Sequence, residues 1–187
     1  VEVFNEEVRD LLSDSLDGVF IDYDQQGNPR LAGLNQVSCS SISEVLACLD
    51  TGQSLHRHQG LDILSSTQPR AHTLFSLKLS QSSLAEDGSH VLRTSTLQFC
   101  DLAPSDCLTG PTGAINLGLL SLGNVVSALG DPRRNVNYVP YQDSLLTRLL
   151  APALGGDSVT FLVCTVSGLD RDREETLNTL TLAERAA

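Results

Sequence analysis

Apolar positions recur along this chain with two different periods, and each change of period marks an element. Val1 to Phe4 reads as a buried strand end, and Asn5 to Leu12 as a short helix with Val8, Leu11 and Leu12 on one side. The turn cluster Asp24-Gln25-Gln26-Gly27-Asn28-Pro29 separates Val19-Phe20-Ile21 from Leu31-Ala32-Gly33-Leu34, which is the pattern of a hairpin. Ser41, with Glu44 three residues on, forms a capping box. The helix it starts carries Ile42, Val45, Leu46 and Leu49 on its apolar face and ends at Gly52. A polar loop from Ser54 to Ser66 gives way after Arg70-Ala71-His72 to the alternating run Thr73 to Leu79. Gln81 to Ser89 is a polar hairpin tip, and Val91 to Cys100 returns as a strand.

The stretch from Leu97 to Leu129 organises the rest. A short apolar run delivers Asp101 into a Gly/Pro/Ser loop, and the helix that follows buries Ile115, Leu119, Leu122, Val126 and Leu129 at four-three-four-three spacing. Beyond a basic loop at 130–135, Val139 to Ser144 leads into a second helix with core positions Leu146, Leu149 and Leu150, ended by Gly155-Gly156-Asp157. Ser158 to Val166 is nearly all apolar or β-branched and reads as a central strand covered on both faces. A last helix from about Asp172 to Ala187 turns Leu177, Leu180 and Ala183 inward. Strands and helices alternate without internal repeats, so the expected class is α/β, a mixed central sheet sandwiched by helices. A strand, an acidic loop and a rigid helix in sequence suit a switch that senses a bound phosphate.

Composition narrows the function classes. With 187 residues, 41% of them hydrophobic, one globular domain is expected, and the abrupt start on a strand is expected of a piece of a longer chain. There are 12 basic and 23 acidic residues, a net charge of −11, and Lys78 is the only lysine. A polyanion is repelled by such a surface, so direct nucleic-acid binding is disfavoured. Cys39, Cys48, Cys100, Cys107 and Cys164 are an odd set at irregular spacing with no CxxC pair, which favours reduced thiols in an intracellular compartment. His56, His58 and His72 match no standard metal-ligand spacing. No apolar run approaches the roughly 20 residues of a membrane span, and VEVFNEEVRD is not a signal peptide. One loop ends in Arg70 and another begins at Asp101, which brings a guanidinium towards a carboxylate. On residues alone, Asp101 is a solvated loop charge and Arg70 with Asp106 an ordinary surface ion pair.

Six stretches, in order, resemble the C-terminal part of a kinesin motor domain. VEVFNEEVRDLL resembles the (L)E(V/I)YNE pattern; RAHTLFSL resembles the switch I segment SSRSH and its strand; FCDLAPSD resembles the switch II segment VDLAGSE. INLGLLSLGNVVSAL resembles INxSLxxLGxVIxAL, and VPYQDSLLTRLLAPALGG resembles VPYRDSKLTRLLxDSLGG. EETLNTLTLAERAA resembles the closing EETLxTLxYAxRAK. The resemblance implies a partial kinesin-motor, P-loop NTPase-like fold, with switch I at about 65–73, switch II at about 99–107 and microtubule-facing helices at about 114–151. It implies ATP with magnesium as cofactor, microtubules as partner, microtubule-based movement as activity, and a place on the cytoplasmic cytoskeleton. By position, Asp101 matches the magnesium-side aspartate and His72, with it, the nucleotide side; Arg70 and Asp106 match the switch I–switch II latch. Arg133, Arg134 and Arg148 fall on the microtubule-facing block.

The departures from the pattern are specific. Pro104 stands at the switch II glycine, and proline has no N–H with which to meet a γ-phosphate. The three serines of SSRSH fall at Gln68, Pro69 and Ala71. CLTGPTGA is shorter than the family's loop, and Gln142 and Leu145 replace an arginine and a lysine that usually face acidic tubulin. No GxxxxGK(S/T) phosphate loop occurs in these residues. The expected result is a kinesin-like portion with impaired catalysis; the alternative is a non-hydrolysing module that binds microtubules or a protein partner.

Overall fold

The computed structural model describes residues 1–13, 18–24, 27, 29–59 (backbone alone for 56–59), 71–85, 87–104, 117–130, 138–156 and 158–186. In chain order these form β1 (Glu2–Phe4), β2 (Glu7–Arg9), β3 (Phe20–Tyr23), β4 (Pro29–Ala32), α1 (Ile42–Gln59), β5 (His72–Leu84), β6 (His90–Asp101), α2 (Leu117–Gly130), α3 (Leu145–Gly155) and α4 (Arg173–Ala186). Short 3₁₀ turns at Tyr141–Asp143 and Asp170–Asp172 precede the last two helices. One sheet has the order β2-β1-β5-β6 and the other is the hairpin β3-β4. Every pairing among the described residues is antiparallel. The α/β class and the hairpins at β3–β4 and β5–β6 are those expected from the sequence. The β5–β6 strands run longer than expected, because the polar residues Ser80 to Ser83 continue the ladder against Val91 to Thr94.

The core lies between the β1–β5 edge and helices α2 and α3. Val3 and Leu74 from the sheet pack with Leu122 and Val126 of α2 and with Leu145, Leu146, Leu149 and Leu150 of α3. Leu146, Leu149 and Leu150 are buried as their spacing requires. On α2 the buried face is Gly118, Ser121, Leu122, Val125, Val126 and Ala128, whereas Leu129 is 39% exposed. The buried face thus includes the small residues Gly118, Ser121 and Ala128 besides the apolar ones. Ile115 lies outside the described residues.

Residues 5–12 are not a helix. Val3 pairs with Val8 and Phe4 with Glu7, leaving Asn5 and Glu6 as a two-residue hairpin loop. Both take positive φ, +49° and +63°, as a type I′ turn requires, and asparagine tolerates that region well. The tight turn carries the Glu6 carboxylate to the start of α3, where it accepts a hydrogen bond from the Leu145 N–H at 2.5 Å. Ser144 caps the same helix, its Oγ accepting from Thr147 N–H while Thr147 Oγ1 accepts from Ser144 N–H. A carboxylate beside a helix N-terminus is favoured by the unpaired amides and the helix dipole. Glu6→Ala is therefore expected to lower stability by about 1 kcal/mol, and Glu6→Gln by less. Urea denaturation of the two variants checks this; equal stability of Glu6→Ala and the parent contradicts it.

Helix α1 continues seven residues past Gly52, so the expected break there and the loop from Ser54 do not occur. Gly52 faces Leu11 with ordinary room to spare, and Thr51 and Ser54 return their hydroxyls to the Ala47 and Asp50 carbonyls inside the helix. The rest of the expected loop, 60–66, lies outside the described residues. The capping box is shifted by one residue. Ser41 Oγ accepts from Glu44 N–H, and the Glu44 carboxylate accepts most closely from Ser40 N–H, at 2.7 Å, one residue before the expected partner. That backbone bond from Ser40, with the Ser40 hydroxyl, holds Glu44 below the usual carboxylate range. Val45 and Leu49 are half-buried, while Ile42 and Leu46 are exposed.

Two further expectations are overturned. The run Ser158 to Val166 pairs with no strand among the described residues, and Val159, Phe161 and Val163 are each more than 80% exposed. An apolar, β-branched sequence becomes a strand only where a neighbour supplies the other half of the ladder. On α4, Leu177 and Leu180 are about half exposed; Leu182 packs against the core instead, with Ala183 half-buried beside it. Among the described residues no helix is long and apolar enough to cross a membrane.

Candidate functional site

The site grows from the end of the β5–β6 ladder. The last register pair is Thr73 with Asp101, so the chain enters β5 and leaves β6 at the same edge. His72, the first residue of β5, sits opposite Val3 on the β1 side and is 3% exposed. Past Asp101 the chain runs through half-buried Leu102, buried Ala103 and half-buried Pro104. Ala103 N–H donates to His72 Nδ1 at 3.0 Å in this buried setting. A ring that accepts at Nδ1 is neutral with its proton on Nε2. One buried hydrogen bond thus joins the two segments that resemble switch I and switch II.

Neighbouring groups fix the chemistry available there. Burial, and secondarily the charge of Asp101, push the Cys100 thiol up to about 12, so it is no nucleophile at neutral pH. Asp101 itself is exposed at the sheet edge. Ala71 is buried and offers no hydroxyl, Pro104 offers no N–H, and Lys78 lies opposite Thr96, five register pairs along the ladder from Asp101. Among the described residues no cluster of three or more His, Cys, Asp and Glu side chains is placed to hold a metal ion. A single carboxylate without amide, hydroxyl or ammonium partners does not make a cradle for a magnesium triphosphate. The described residues therefore do not fit that cofactor by themselves.

The remaining candidates divide. Arg70 and Asp106, the expected latch, and Arg133 and Arg134, on the basic loop, lie outside the described residues. Arg148 is half-buried on α3, and its Nε is enclosed without a hydrogen-bond partner. Leu145, which stands where the resemblance places a lysine, is 7% exposed and belongs to the core, while Gln142 is exposed on the 3₁₀ turn. The lysine-to-leucine change thus converts a surface cation into packing. His56 and His58 have no described side chains.

Sequence reasoning missed two positioning groups. Glu6 ties the first hairpin to α3, a link across 139 residues that only its place in the YNE-like motif hints at. Asp10, buried, accepts from the Leu12 and Asn35 N–H groups at 2.8 and 2.7 Å, and Asn35 Nδ2 donates to the Leu12 carbonyl. These bonds clasp the end of the first hairpin to the segment after β4. An Asp two residues before a polar loop is too common a signal to have revealed this.

Comparison with known proteins agrees with the ordered motifs. The Kinesin motor domain profile matches residues 1–187. Kinesin-like protein KIF7 of Homo sapiens is 40% identical over 202 residues, covering 100% of this chain and 15% of the relative. Kinesin-like protein KIF27 of Rattus norvegicus is 38% identical over 204 residues, with the same coverage, 100% and 15%. Chromosome-associated kinesin KIF4 of Xenopus laevis is 37% identical, covering 100% of this chain and 16% of the relative. The chain thus spans about 15% of the length of the curated relatives it matches. With the profile matched end to end and the switch-like segments joined at one sheet edge, this chain belongs to the kinesin motor domain family.

Proposed function

We propose that this chain is a microtubule-associated portion of a kinesin-like motor in which nucleotide turnover is impaired, so that it serves chiefly as a binding module on the cytoplasmic cytoskeleton. The family role behind this reading is ATP-dependent movement along microtubules. The observation that carries the impaired reading is Pro104, three residues past Asp101 and next to Ala103. A γ-phosphate sensor at that position works through a backbone N–H that tightens as the phosphate arrives and relaxes as it leaves. Proline removes the donor and fixes φ, so the segment cannot answer the phosphate. The hydrogen bond from Ala103 to His72 attaches the start of the loop to β5. Binding without sensing is the consequence.

Electrostatics sets the strength of that binding. Tubulin's surface is acidic, and this chain carries −11 with Gln142 and Leu145 in place of cations. Arg148, with Arg133 and Arg134, is left to make the contact, so the association is weak and salt-sensitive. Co-sedimentation with microtubules across a salt series, with ATP, with ADP and without nucleotide, tests this. The expected result is pelleting at low salt, lost as salt rises, with the same midpoint in all three nucleotide conditions. Pelleting that changes several-fold with nucleotide, or microtubule-stimulated ATP turnover in the protein that carries this chain, overturns the impaired reading. Absence of pelleting even at low salt overturns the microtubule partner. In the same protein, Pro104→Gly is expected to raise any residual turnover; no change would locate the defect elsewhere.

A further inference from the structure

The sequence favours reduced thiols for all five cysteines, and the fold brings two of them together. Cys39 lies three residues before the start of α1 and Cys48 in the second turn of that helix. Their sulfurs are 4.0 Å apart. The shifted cap produces this meeting. Ser40 and Ser41 bind Glu44 on either side of the helix start, which reverses the chain so that Cys39 lies back along the second turn. Cys39 is exposed, Cys48 half-buried, and the Cys39 thiol also leans on the Val37 carbonyl at 3.7 Å. An oxidant therefore reaches the pair from solvent.

We propose that Cys39 and Cys48 form an oxidisable dithiol site, which a two-electron oxidant of the hydrogen peroxide class closes to a disulfide that pins residues 37–41 onto α1. This inference rests on the α1 cap and is independent of the switch-region reading above. The gap to be closed is from 4.0 Å between the two sulfurs to the roughly 2.05 Å of a disulfide. In the first step one thiolate attacks a peroxide oxygen, giving a sulfenic acid and releasing hydroxide. In the second, the other thiolate attacks the sulfenic sulfur and expels its hydroxide. The two thiol protons convert both hydroxides to water, so two thiols lose two electrons and one peroxide is reduced to two waters. Desolvation, then the hydrogen bond and charge of Cys48 and the charge of Glu44, raise the Cys39 thiol, so the reaction is slower at low pH and quickens as pH rises.

Cys100, on β6, is an internal control. Its thiol, held at about 12, has a thiolate fraction smaller than that of an ordinary cysteine by roughly a thousandfold at neutral pH. The test is limited peroxide treatment of the native protein, alkylation of remaining thiols, and cleavage after basic residues and after Glu44, which separates Cys39 from Cys48. The expected product is a 31–44 fragment joined to a 45–57 fragment, lighter by two hydrogens and released by dithiothreitol. It should form at least about tenfold faster than Cys100 is modified. Cys39→Ser and Cys48→Ser, both conservative and away from the packed core, should each abolish the joined fragment and leave a sulfenic acid that dimedone traps on the surviving cysteine. Joined fragments from two different molecules, or both cysteines alkylated after treatment that oxidises added glutathione, overturn the proposal.

Discussion

Leu146→Ala is expected to destabilise the fold by about 3 kcal/mol, the largest effect of any single truncation considered. Leu146 is fully buried at the centre of the cluster that α2, α3 and the β1–β5 edge share. Its removal leaves a cavity bounded by side chains of three elements, which have no common direction in which to collapse. The lost transfer free energy and the lost packing contacts then add. Ile42→Ala provides the contrast, because Ile42 is 81% exposed on α1 and the same loss of side chain should cost under about 0.5 kcal/mol. Urea denaturation followed by far-ultraviolet circular dichroism separates the two. Comparable midpoints for both variants would mean that the α2–α3 packing is not what holds this chain together.

The second large effect concerns the joint between the switch-like segments. His72→Leu keeps apolar volume at a buried position but takes away the Nδ1 acceptor, leaving the Ala103 N–H buried without that partner. An unsatisfied buried donor costs about 1–3 kcal/mol, so a loss near 2 kcal/mol is expected. His72→Asn should recover part of it, since the amide oxygen projects from the same side of the backbone as Nδ1. Native-state amide exchange gives the local readout. The Ala103 amide should exchange more than about tenfold faster in His72→Leu, while the amides of α4 should stay within about twofold. If the Ala103 amide keeps its parent rate, the hydrogen bond does not couple the two segments.

These two sites differ in how far a reader of the sequence could have foreseen them. Leu146 was legible, because Leu146, Leu149 and Leu150 at helical spacing leave little doubt about which face of α3 is apolar. His72 was legible as part of a motif and illegible as a structural group. Its neighbours in sequence, Ala71 and Thr73, say nothing of Ala103, which lies 31 residues on and meets it only when β5 and β6 align at Thr73 and Asp101. Leu145 shows the opposite failure. As a substitution for a surface lysine it reads as a lost charge, yet it is part of the core, and the lost charge is accompanied by gained packing.

What the sequence determined by itself is local: the turn cluster between β3 and β4, Ser41 at the start of α1, the apolar face of α3, and the ordered motifs that identify the family. Such features depend on interactions between residues a few positions apart, so the order of letters suffices to find them. The tertiary structure alone decided the rest. Asn5-Glu6 became a hairpin turn and not a helix because β1 already had a partner in β5 and β2 could add to it. Glu6 became a helix cap because that turn points at α3, and Cys39 met Cys48 because Ser40 and Glu44 fold the chain back. Ser158 to Val166, the most strand-like run of all, joins no ladder among the described residues. Burial and strand pairing are properties of neighbours distant along the chain, and a residue's own propensity yields wherever those neighbours are supplied or withheld.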